Sequence, residues 1–261
     1  MNTNKTPAVI LTGASSGIGR GLALALAQRG CALGLIARRK EELETTARLC
    51  REAGAPTVHT EVCDVADIPA QRGVLAKLDD ALGGATHFVA NAGVNVRTSP
   101  SKDNGDAATY IFNVNVTGTV AGLEFMKGRM LSRQYGTLCG VGSVAASRGL
   151  PTAGPYSASK AALHTYLEAL AVETSGTGLK ICTIAPGYID TAMTRGAPHP
   201  QPFMISAEKA GRVFAKALMN RKRFCIAPWQ FRLPVFILRA MPDWMYEAIM
   251  GPLMRSLLRR P

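Results

Sequence analysis

The sequence contains little that is typical of a membrane-spanning or secreted protein. Its longest apolar runs are short and interrupted, whereas a helix that crosses a bilayer needs roughly 20 consecutive apolar residues. The amino-terminal residues lack a charged region followed by a long apolar stretch and a cleavage site. We therefore expect no secretory signal and a cytoplasmic protein.

Cysteine is too dispersed for a metal centre or a disulfide framework. The sequence has no C-x-x-C pair, and no histidine cluster lies near a cysteine. These spacings argue against zinc and against disulfide bonds, so we expect no metal and predict buried or half-buried thiols. The six cysteines are Cys31, Cys50, Cys63, Cys139, Cys182 and Cys225.

Acidic residues are scarce, with 18 Asp and Glu against 30 Lys and Arg, which gives a net charge of +12. Such an excess raises the hypothesis of a nucleic-acid binder. Residues 221–261 contain eight basic and two acidic residues, so +6 of the net charge lies in this final segment. The sequence has no nucleic-acid recognition motif, and we expect no nucleic-acid partner. This class remains a rival that a gel-shift assay tests.

Short apolar runs alternate with longer amphipathic segments through most of the chain. The runs predict strands at 8–12, 32–36, 58–62, 87–90, 136–141, 179–185 and 223–227. The amphipathic segments predict helices at 17–29, 40–53, 66–82, 107–133 and 156–174. This alternation predicts an α/β fold: a Rossmann-type, doubly wound parallel sheet of about seven strands with helices on both faces. We predict one domain over residues 1–227 and a helical extension over residues 228–261.

A glycine-rich turn follows the first predicted strand directly. Gly13 lets the chain leave the strand in a tight turn, Gly17 lets a pyrophosphate approach the backbone, and Gly19 lets the next helix pack close to the sheet. The free N–H groups and the dipole at that helix start favour phosphate. The turn therefore predicts a dinucleotide site formed by Gly13, Ser15, Ser16, Gly17, Ile18 and Gly19.

The residues after the second predicted strand indicate which dinucleotide binds. A carboxylate at this strand end would bind the ribose 2′-hydroxyl of NAD and repel a 2′-phosphate. The sequence has Ala37 there, followed by Arg38 and Arg39. A guanidinium forms forked contacts with phosphate. We therefore predict that NADP(H) is the cofactor.

Tyr156 and Lys160 carry the predicted chemistry. Their four-residue spacing puts both side chains on one face of a helix. A nearby ammonium favours the phenolate, so we expect Lys160 to lower the pKa of Tyr156 and suit it to acid/base catalysis. Ser143 lies at the predicted carboxyl end of a strand, where ligands of such sheets bind, and its hydroxyl is positioned to polarise a substrate carbonyl.

These residues, taken together, resemble the short-chain dehydrogenase/reductase family over about residues 6–195. The motifs, in order, are Thr12-Gly-x-x-x-Gly17-x-Gly19, Cys63-Asp64-Val65, Asn91-Ala92-Gly93, Asn115-Val-Thr-Gly118, Ser143, Tyr156-x-x-x-Lys160 and Pro186-Gly187 with Thr191. Their joint occurrence in this order is highly specific, whereas each motif alone is common.

The resemblance implies further roles. Asn115 completes a tetrad with Ser143, Tyr156 and Lys160 and shapes its helix so that a backbone carbonyl holds a relay water near Lys160, which also binds the nicotinamide ribose. Asp64 hydrogen-bonds near the adenine. The remaining residues implied to border the cofactor are Val65, Asn91, Ala92, Gly93, Pro186, Gly187, Ile189 and Thr191.

The extension is where the sequence departs from many members of that family. It mixes aromatic, basic and proline residues, including Trp229, Phe231, Phe236 and Trp244. Three interpretations remain open: a peripheral membrane contact, a helical cap over the substrate pocket, or a subunit contact. Members of the family usually form dimers or tetramers through long helices, here 107–133 and 156–174. The Pro- and Gly-rich segment 186–206 is suited to covering a substrate.

The sequence thus predicts an NADPH-dependent carbonyl reductase or secondary alcohol dehydrogenase whose small-molecule substrate is a ketone or an alcohol, with lipid-like ketones among the candidates. The complete tetrad argues against the alternative of a non-catalytic protein that senses NADP(H).

Overall fold

The computed structural model describes residues 6–195 and 200–258 of the chain. The amino-terminal residues that bear on a secretory signal, part of the segment 186–206 and the end of the extension lie outside the described residues.

The strands follow the predicted apolar runs closely, and most strand residues are buried. They are β1 (Ala8–Thr12), β2 (Ala32–Ala37), β3 (Val58–Val62), β4 (His87–Ala90), β5 (Gly136–Val141), β6 (Leu179–Pro186), β7 (Ile189–Asp190), β8 (Ile205–Ser206) and β9 (Phe224–Ala227).

The helices fill the intervals between the strands and form the extension. They are α1 (Gly17–Ala27), α2 (Lys40–Glu52), α3 (Ile68–Ala81), α4 (Gly105–Phe112), α5 (Thr119–Leu131), α6 (Gly154–Glu173), α7 (Ala207–Met219), α8 (Arg232–Ala240) and α9 (Asp243–Leu258). Two of their starts are capped by side chains: Asp67 accepts from the N–H of Ala70 at α3, and Ser206 accepts from that of Lys209 at α7.

Seven strands form one parallel sheet in the order β3-β2-β1-β4-β5-β6-β9. The order reverses beside β1, and the carboxyl ends of β1 and β4 therefore flank a crevice. Helices α1, α2 and α7 pack on one face, where Leu22, Leu43 and Phe214 are buried. Helices α3, α5 and α6 pack on the other, where Leu75 and Met126 are buried. The predicted doubly wound α/β fold is confirmed.

A buried carboxylate ties α3 to the end of α5. Asp79 is fully buried and accepts hydrogen bonds from Arg129 Nε at 2.5 Å, Arg133 Nη1 at 2.8 Å and the N–H of Ala85 at 2.6 Å. Burial acts to raise the pKa of Asp79, but the hydrogen bonds from Arg133 and Arg129 outweigh it and hold that pKa below its usual value.

The structure corrects the predicted helix at 107–133. It begins at Gly105, and a π-helical segment at Asn113–Gly118 separates α4 from α5. Two contacts favour the widened turn. The Asn115 side chain bonds to the loop after β4, and Gly118 lies so close to the carbonyl of Val65 that a Cβ would overlap that oxygen.

Two features were not predicted from the sequence. Helix α7 follows the Pro- and Gly-rich segment, and its buried Phe214 and Leu218 pack against the sheet face covered by α1. Strands β7 and β8 form a separate parallel pair in which Ile189 faces Ile205. This pairing brings residues on the two sides of the Pro- and Gly-rich segment together beside the crevice.

Candidate active site

A cavity of about 510 Å³ lies at the carboxyl edge of the sheet. All residues that the sequence analysis assigned to catalysis or the cofactor line this cavity, with the exception of Asn115, which lies behind its wall. The lining residues from the prediction are Gly13, Ser15, Ser16, Gly17, Ile18, Gly19, Arg38, Arg39, Asp64, Val65, Asn91, Ala92, Gly93, Ser143, Tyr156, Lys160, Pro186, Gly187, Ile189 and Thr191.

The glycine-rich turn has the backbone geometry that requires glycine. Gly13 has φ +68° and Gly17 has φ +52°, both in the left-handed region that side chains disfavour. A Cβ on Gly19 would overlap the carbonyl oxygen of Gly13. Asn91 fixes the turn by donating from Nδ2 to the carbonyl of Thr12 at 2.9 Å and to that of Gly13 at 3.2 Å.

Thr191 closes the crevice over this turn. Its methyl carbon lies 3.0 Å from the position that a Cβ on Gly17 would occupy. The Thr191 N–H donates to Thr194 Oγ1 at 3.1 Å, and Thr194 Oγ1 donates to the carbonyl of Ile189 at 2.6 Å. Any group that lies on the N–H-rich start of α1 is therefore also bordered by Thr191. This narrow, glycine-lined cradle fits a dinucleotide pyrophosphate.

Two arginines border the other end of the cavity, after β2. Arg39 Nη2 donates to Ser15 Oγ at 3.2 Å and to Ser16 Oγ at 2.7 Å. Arg38 Nη1 lies 3.3 Å from Asp64 Oδ2 and donates to Tyr110 Oη at 3.1 Å. The Arg38 side chain is about half exposed, and no carboxylate occupies the strand end at Ala37. Arg39 also pairs with Glu42 at 3.0 Å. This end of the cavity therefore presents two guanidinium groups, each paired with a carboxylate, beside hydroxyl groups.

Ser143, Tyr156 and Lys160 meet where β5 and α6 approach each other. The Ser143 hydroxyl is near enough to Tyr156 to lower the pKa of its phenol in part, and Ser143 Oγ accepts from the N–H of Ala145 at 3.1 Å. Lys160 Nζ donates to the carbonyl of Val141 at 2.8 Å and lies 5.9 Å from the centre of the Tyr156 ring. The four-residue spacing places both side chains on one face of α6, as predicted.

The predicted lowering of the Tyr156 pKa is wrong for the protein without cofactor or substrate. Burial raises the pKa of the phenol, and its hydrogen bond with Ser143 offsets this only in part. Burial also lowers the pKa of the Lys160 ammonium to about 8. Because Lys160 donates to a backbone carbonyl instead of to Tyr156, its charge does not outweigh the desolvation of the phenol.

Asn115 holds the loop after β4 in place from within the π-helical segment. Its Oδ1 accepts from the N–H of Val94 at 2.8 Å, and its Nδ2 donates to the carbonyl of Val94 at 2.9 Å and to Ser159 Oγ at 3.1 Å. The same loop carries Gly93, where a Cβ would lie 3.3 Å from Lys160 Nζ. Asn115 thus connects α6 with the cavity wall beside Lys160.

The start of the extension packs against Gly187, which lines the cavity. The Phe231 ring lies so close to Gly187 that a Cβ there would meet it at 2.5 Å. Phe231 also makes edge-to-face contacts with Tyr188, with ring centres 5.7 Å apart, and with Phe203, at 6.0 Å. This aromatic cluster holds the start of the extension against the predicted nicotinamide border.

Helix α9 is fixed to the loop that follows Ser143. Arg148 pairs with Asp243 at 2.7 Å and lies over the ring of Tyr246, whose hydroxyl donates to the carbonyl of Gly149 at 2.6 Å. Helix α9 therefore packs on the loop after Ser143, and none of the described residues of the extension lines the cavity itself.

Sequence reasoning missed several residues of the site. Met193 lines the cavity from the loop after β7, and Tyr110 holds Arg38 from α4. His164 lies behind the site against Gly142, where a Cβ would overlap its Nε2, and burial lowers its pKa to about 4. Its position one helical turn after Lys160 was the available signal for His164, whereas neither Met193 nor Tyr110 belongs to a recognisable motif.

The remaining sequence predictions concern thiols and membrane segments. All six cysteines are buried and free, as predicted. Across the described ranges, no three His, Cys, Asp or Glu side chains are grouped so that they could hold a metal ion. None of the helices in residues 6–195 and 200–258 combines the length and the apolar composition that a bilayer crossing needs.

Comparisons with known proteins place this site in a large family. An uncharacterised oxidoreductase of Myxococcus xanthus is 35% identical over 239 residues, which are 92% of this chain and 94% of that protein. A Streptomyces coelicolor protein provisionally named a ketoacyl reductase is 30% identical over 85% of this chain and 86% of its own length. A solved short-chain dehydrogenase/reductase of Mycobacterium marinum is 28% identical, with a TM-score of 0.66 over 70% of this chain and 75% of its own.

The family model for short chain dehydrogenases matches residues 7–201, which include the glycine-rich turn and the three residues at the end of the cavity. The family uses NAD(P)(H), and the crevice fits such a dinucleotide. The chain belongs to the short-chain dehydrogenase/reductase family of oxidoreductases.

Proposed function

We propose that this oxidoreductase reduces a ketone with NADPH and, in reverse, oxidises the secondary alcohol with NADP⁺. The observation that carries the proposal is that Ser143, Tyr156 and the buried Lys160 line the same cavity as the glycine-rich turn. A bound nicotinamide supplies hydride chemistry, while the protein supplies binding, orientation and proton transfer.

Tyr156 is suited to act as the acid. Because burial raises the pKa of its phenol, Tyr156 keeps its proton near neutral pH and can donate it from Oη to the oxygen of a ketone. The opposite direction requires the phenol to be deprotonated, so we expect alcohol oxidation to accelerate with rising pH. The protonated phenol at neutral pH therefore suits ketone reduction better than alcohol oxidation.

Ser143 and Lys160 support that proton transfer. Ser143 Oγ accepts from the N–H of Ala145, so its hydroxyl proton remains available to the substrate oxygen as negative charge develops there. Lys160 is anchored to Val141, and we assign to it the ribose hydroxyls of the cofactor. We assign to Asn115 the positioning of the loop beside Lys160 and, through its helix, of a relay water.

A Tyr156→Phe variant tests the assignment of the acid. NADPH oxidation is followed at the nicotinamide absorbance with ketones that range from small aromatic diketones to long-chain β-keto lipids. We expect the variant to lose roughly 10²–10⁴-fold in kcat, while the control Tyr135→Phe, at an exposed ring near β5, keeps the parent rate. Parent turnover by Tyr156→Phe with the best substrate would overturn the assignment.

We infer the preference for NADPH over NADH from Arg38 and Arg39, which line the cavity after β2. We assign the 2′-phosphate to these two side chains, and Ala37 offers no carboxylate at the strand end. We expect Arg38→Gln with Arg39→Gln to raise the KM for NADPH roughly tenfold or more and leave that for NADH nearly unchanged. Arg48→Gln on α2, where Arg48 pairs with Glu52, is the matched control. An equal rise in the KM values for NADPH and NADH would contradict this preference.

We infer an apolar, lipid-like ketone as the substrate class. Met193, Phe203 and Met204 are each substantially exposed in the segments next to the cavity, and exposed apolar side chains beside a pocket favour apolar ligands. The provisional name of the Streptomyces relative supports this inference. In the ketone panel, kcat/KM is therefore expected to rise with chain length, and a fall with chain length would refute it.

We further propose a cytoplasmic homodimer or homotetramer that associates through α5 and α6, and a boundary near residue 227 between the catalytic domain and the extension. Sedimentation velocity tests the association, and a monomer at all concentrations would refute it. A gel-shift assay at two salt concentrations tests the nucleic-acid rival, which is excluded if no shift occurs at low salt.

A further inference from the structure

Helix α8 has an apolar face on each side. Val235 and Leu238 are half-buried, and Phe231 just before the helix packs on Gly187. The opposite side, which we call the outward face, consists of Leu233, Phe236, Ile237 and Ala240, which are all exposed. Positions three and four residues apart share one side of a helix, so the outward face is continuous.

The exposure of the outward face is unusual for large apolar side chains. Phe236 is 70% exposed, Leu233 65% and Ile237 47%. Trp229 before α8 and Trp244 at the start of α9 are 70% and 69% exposed. A concentration of exposed apolar side chains in one short stretch marks an interaction surface.

Charge indicates which partner fits. Arg232 and Arg239 are seven residues apart, lie on one edge of the outward face, and are exposed. Helix α8 contains no acidic residue. A helix with aliphatic and aromatic side chains outward and cations along its edge is the pattern that lies flat on anionic lipid.

Two other partners fit this surface less well. A second copy of the chain would have to bring clusters of like charge near one another, because Arg232 and Arg239 border the same apolar face. Nucleic acid would leave the aliphatic Leu233 and Ile237 without apolar partners, since its bases stack on aromatic rings.

We propose that the outward face of α8 docks on an anionic lipid bilayer. The inner side of the helix keeps its contacts with the protein, so docking requires no unfolding. Because the extension packs beside the cavity through Phe231 and Tyr246, docking brings the cavity close to the lipid surface. The proposal is independent of the catalytic assignment.

The chain carries its own reporters for this test. Its two tryptophans, Trp229 and Trp244, both lie exposed in the extension. Vesicles of phosphatidylcholine mixed with phosphatidylglycerol are expected to shift tryptophan emission to shorter wavelength and to sediment with the full-length protein. Vesicles of phosphatidylcholine alone are expected to bind much less, and added salt is expected to weaken binding to the anionic vesicles.

Variants separate the apolar and charged contributions. Phe236→Glu is expected to lower partitioning onto anionic vesicles by at least about tenfold. It removes a ring that docking would bury in the bilayer, and it adds a carboxylate that anionic lipid repels. Arg232→Gln with Arg239→Gln is expected to lower it by about fivefold per arginine. Val213→Glu on α7, at a valine that is 38% exposed, is the control and is expected to bind like the parent.

Three results would overturn the proposal. The first is the absence of both the emission shift and sedimentation with anionic vesicles, and the second is their persistence in Phe236→Glu. The third is an oligomer that Phe236→Glu dissociates in a protein that does not bind vesicles, which would make a second copy the occupant. Far-ultraviolet circular dichroism and NADPH oxidation with a water-soluble ketone check that Phe236→Glu is folded and that docking, not catalysis, is lost.

Discussion

Lys160→Met is expected to abolish activity without a matching loss of stability. Lys160 is 4% exposed and belongs to the core of the site. Burial lowers the pKa of its ammonium from 10.5 to about 8, because the charged form loses hydration. The charge is therefore kept at a cost to folding that a methionine of similar length does not carry.

The free energy that burial of the Lys160 charge costs follows from the difference between the ordinary and the folded pKa of its ammonium. The change from 10.5 to about 8 corresponds to about 3 kcal/mol, at about 1.4 kcal/mol per pH unit. Against this gain, Lys160→Met leaves the carbonyl of Val141 without its donor, which costs about 1–3 kcal/mol. Near neutral pH the two effects nearly cancel, so we expect the unfolding free energy of the variant to stay within about 2 kcal/mol of the parent.

The pH dependence gives the sharper test. Between about pH 8 and 10.5 the folded parent has released the Lys160 proton while the unfolded chain still holds it. Because the unfolded state then binds more protons, the unfolding free energy rises with pH. The parent is therefore expected to gain about 3 kcal/mol relative to Lys160→Met across this range, since the variant has no group titrating at this position.

Urea denaturation of parent and variant at about pH 7 and about pH 10, followed by circular dichroism, measures this difference. Lys216→Met, at an exposed lysine of α7, is the control and is expected to show no pH-dependent difference from the parent. If the unfolding free energies of the parent and Lys160→Met differed by the same amount at both pH values, the argument that burial of the charge sets the pKa of Lys160 would be refuted.

Three further changes test contacts in the core and around the site. Asp79→Ala leaves its two arginine partners without a buried carboxylate and is expected to cost about 3–5 kcal/mol in thermal or urea unfolding. Because the folded pKa of Asp79 lies below its usual value, this contribution is present at neutral pH and is lost as the pH falls through the folded pKa, so parent and variant are expected to converge in acid. Gly142→Ala drives a methyl group into the His164 ring and is expected to cost about 1–3 kcal/mol and to lower kcat. The double variant with His164→Ala is expected to recover part of the lost stability. Strict additivity of the two changes would contradict the contact between Gly142 and His164. Asn115→Ala removes three hydrogen bonds, two to the half-buried backbone of Val94 and one to the buried Ser159 hydroxyl, and is expected to destabilise the protein by about 3 kcal/mol and to raise the KM for NADPH; an unchanged KM would exclude a positioning role.

Local patterns in the sequence predicted most of the fold. Buried strands such as β1 and β5 consist of apolar runs, and helices such as α2 have the matching period, so their existence follows from elementary periodicity. Helix α7 was not predicted, although its buried Ala210, Phe214 and Leu218 recur at helical spacing after the N-cap Ser206, so its signal was as local as that of α2. The π-helical segment was missed because its cause, the bonds from Asn115 to the loop after β4, joins residues that are distant in the chain.

The same distinction applies to the site. The glycine-rich turn and the spacing of Tyr156 and Lys160 are local, so the sequence predicted them and the family to which they belong. The direction in which the pKa of Tyr156 shifts could not be predicted from neighbours along the chain. It depends on burial and on which acceptor the Lys160 ammonium donates to.

The extension shows most clearly what the sequence determined and what the tertiary structure determined. The sequence by itself determined its composition: aromatic and basic, with apolar residues at helical spacing. Only the tertiary structure decided which side of α8 packs on the protein, because Phe231 meets Gly187, which lies 44 positions earlier in the chain. An apolar residue has the same hydrophobicity whether it faces a core or solvent, and only its neighbours in space decide which of the two it faces.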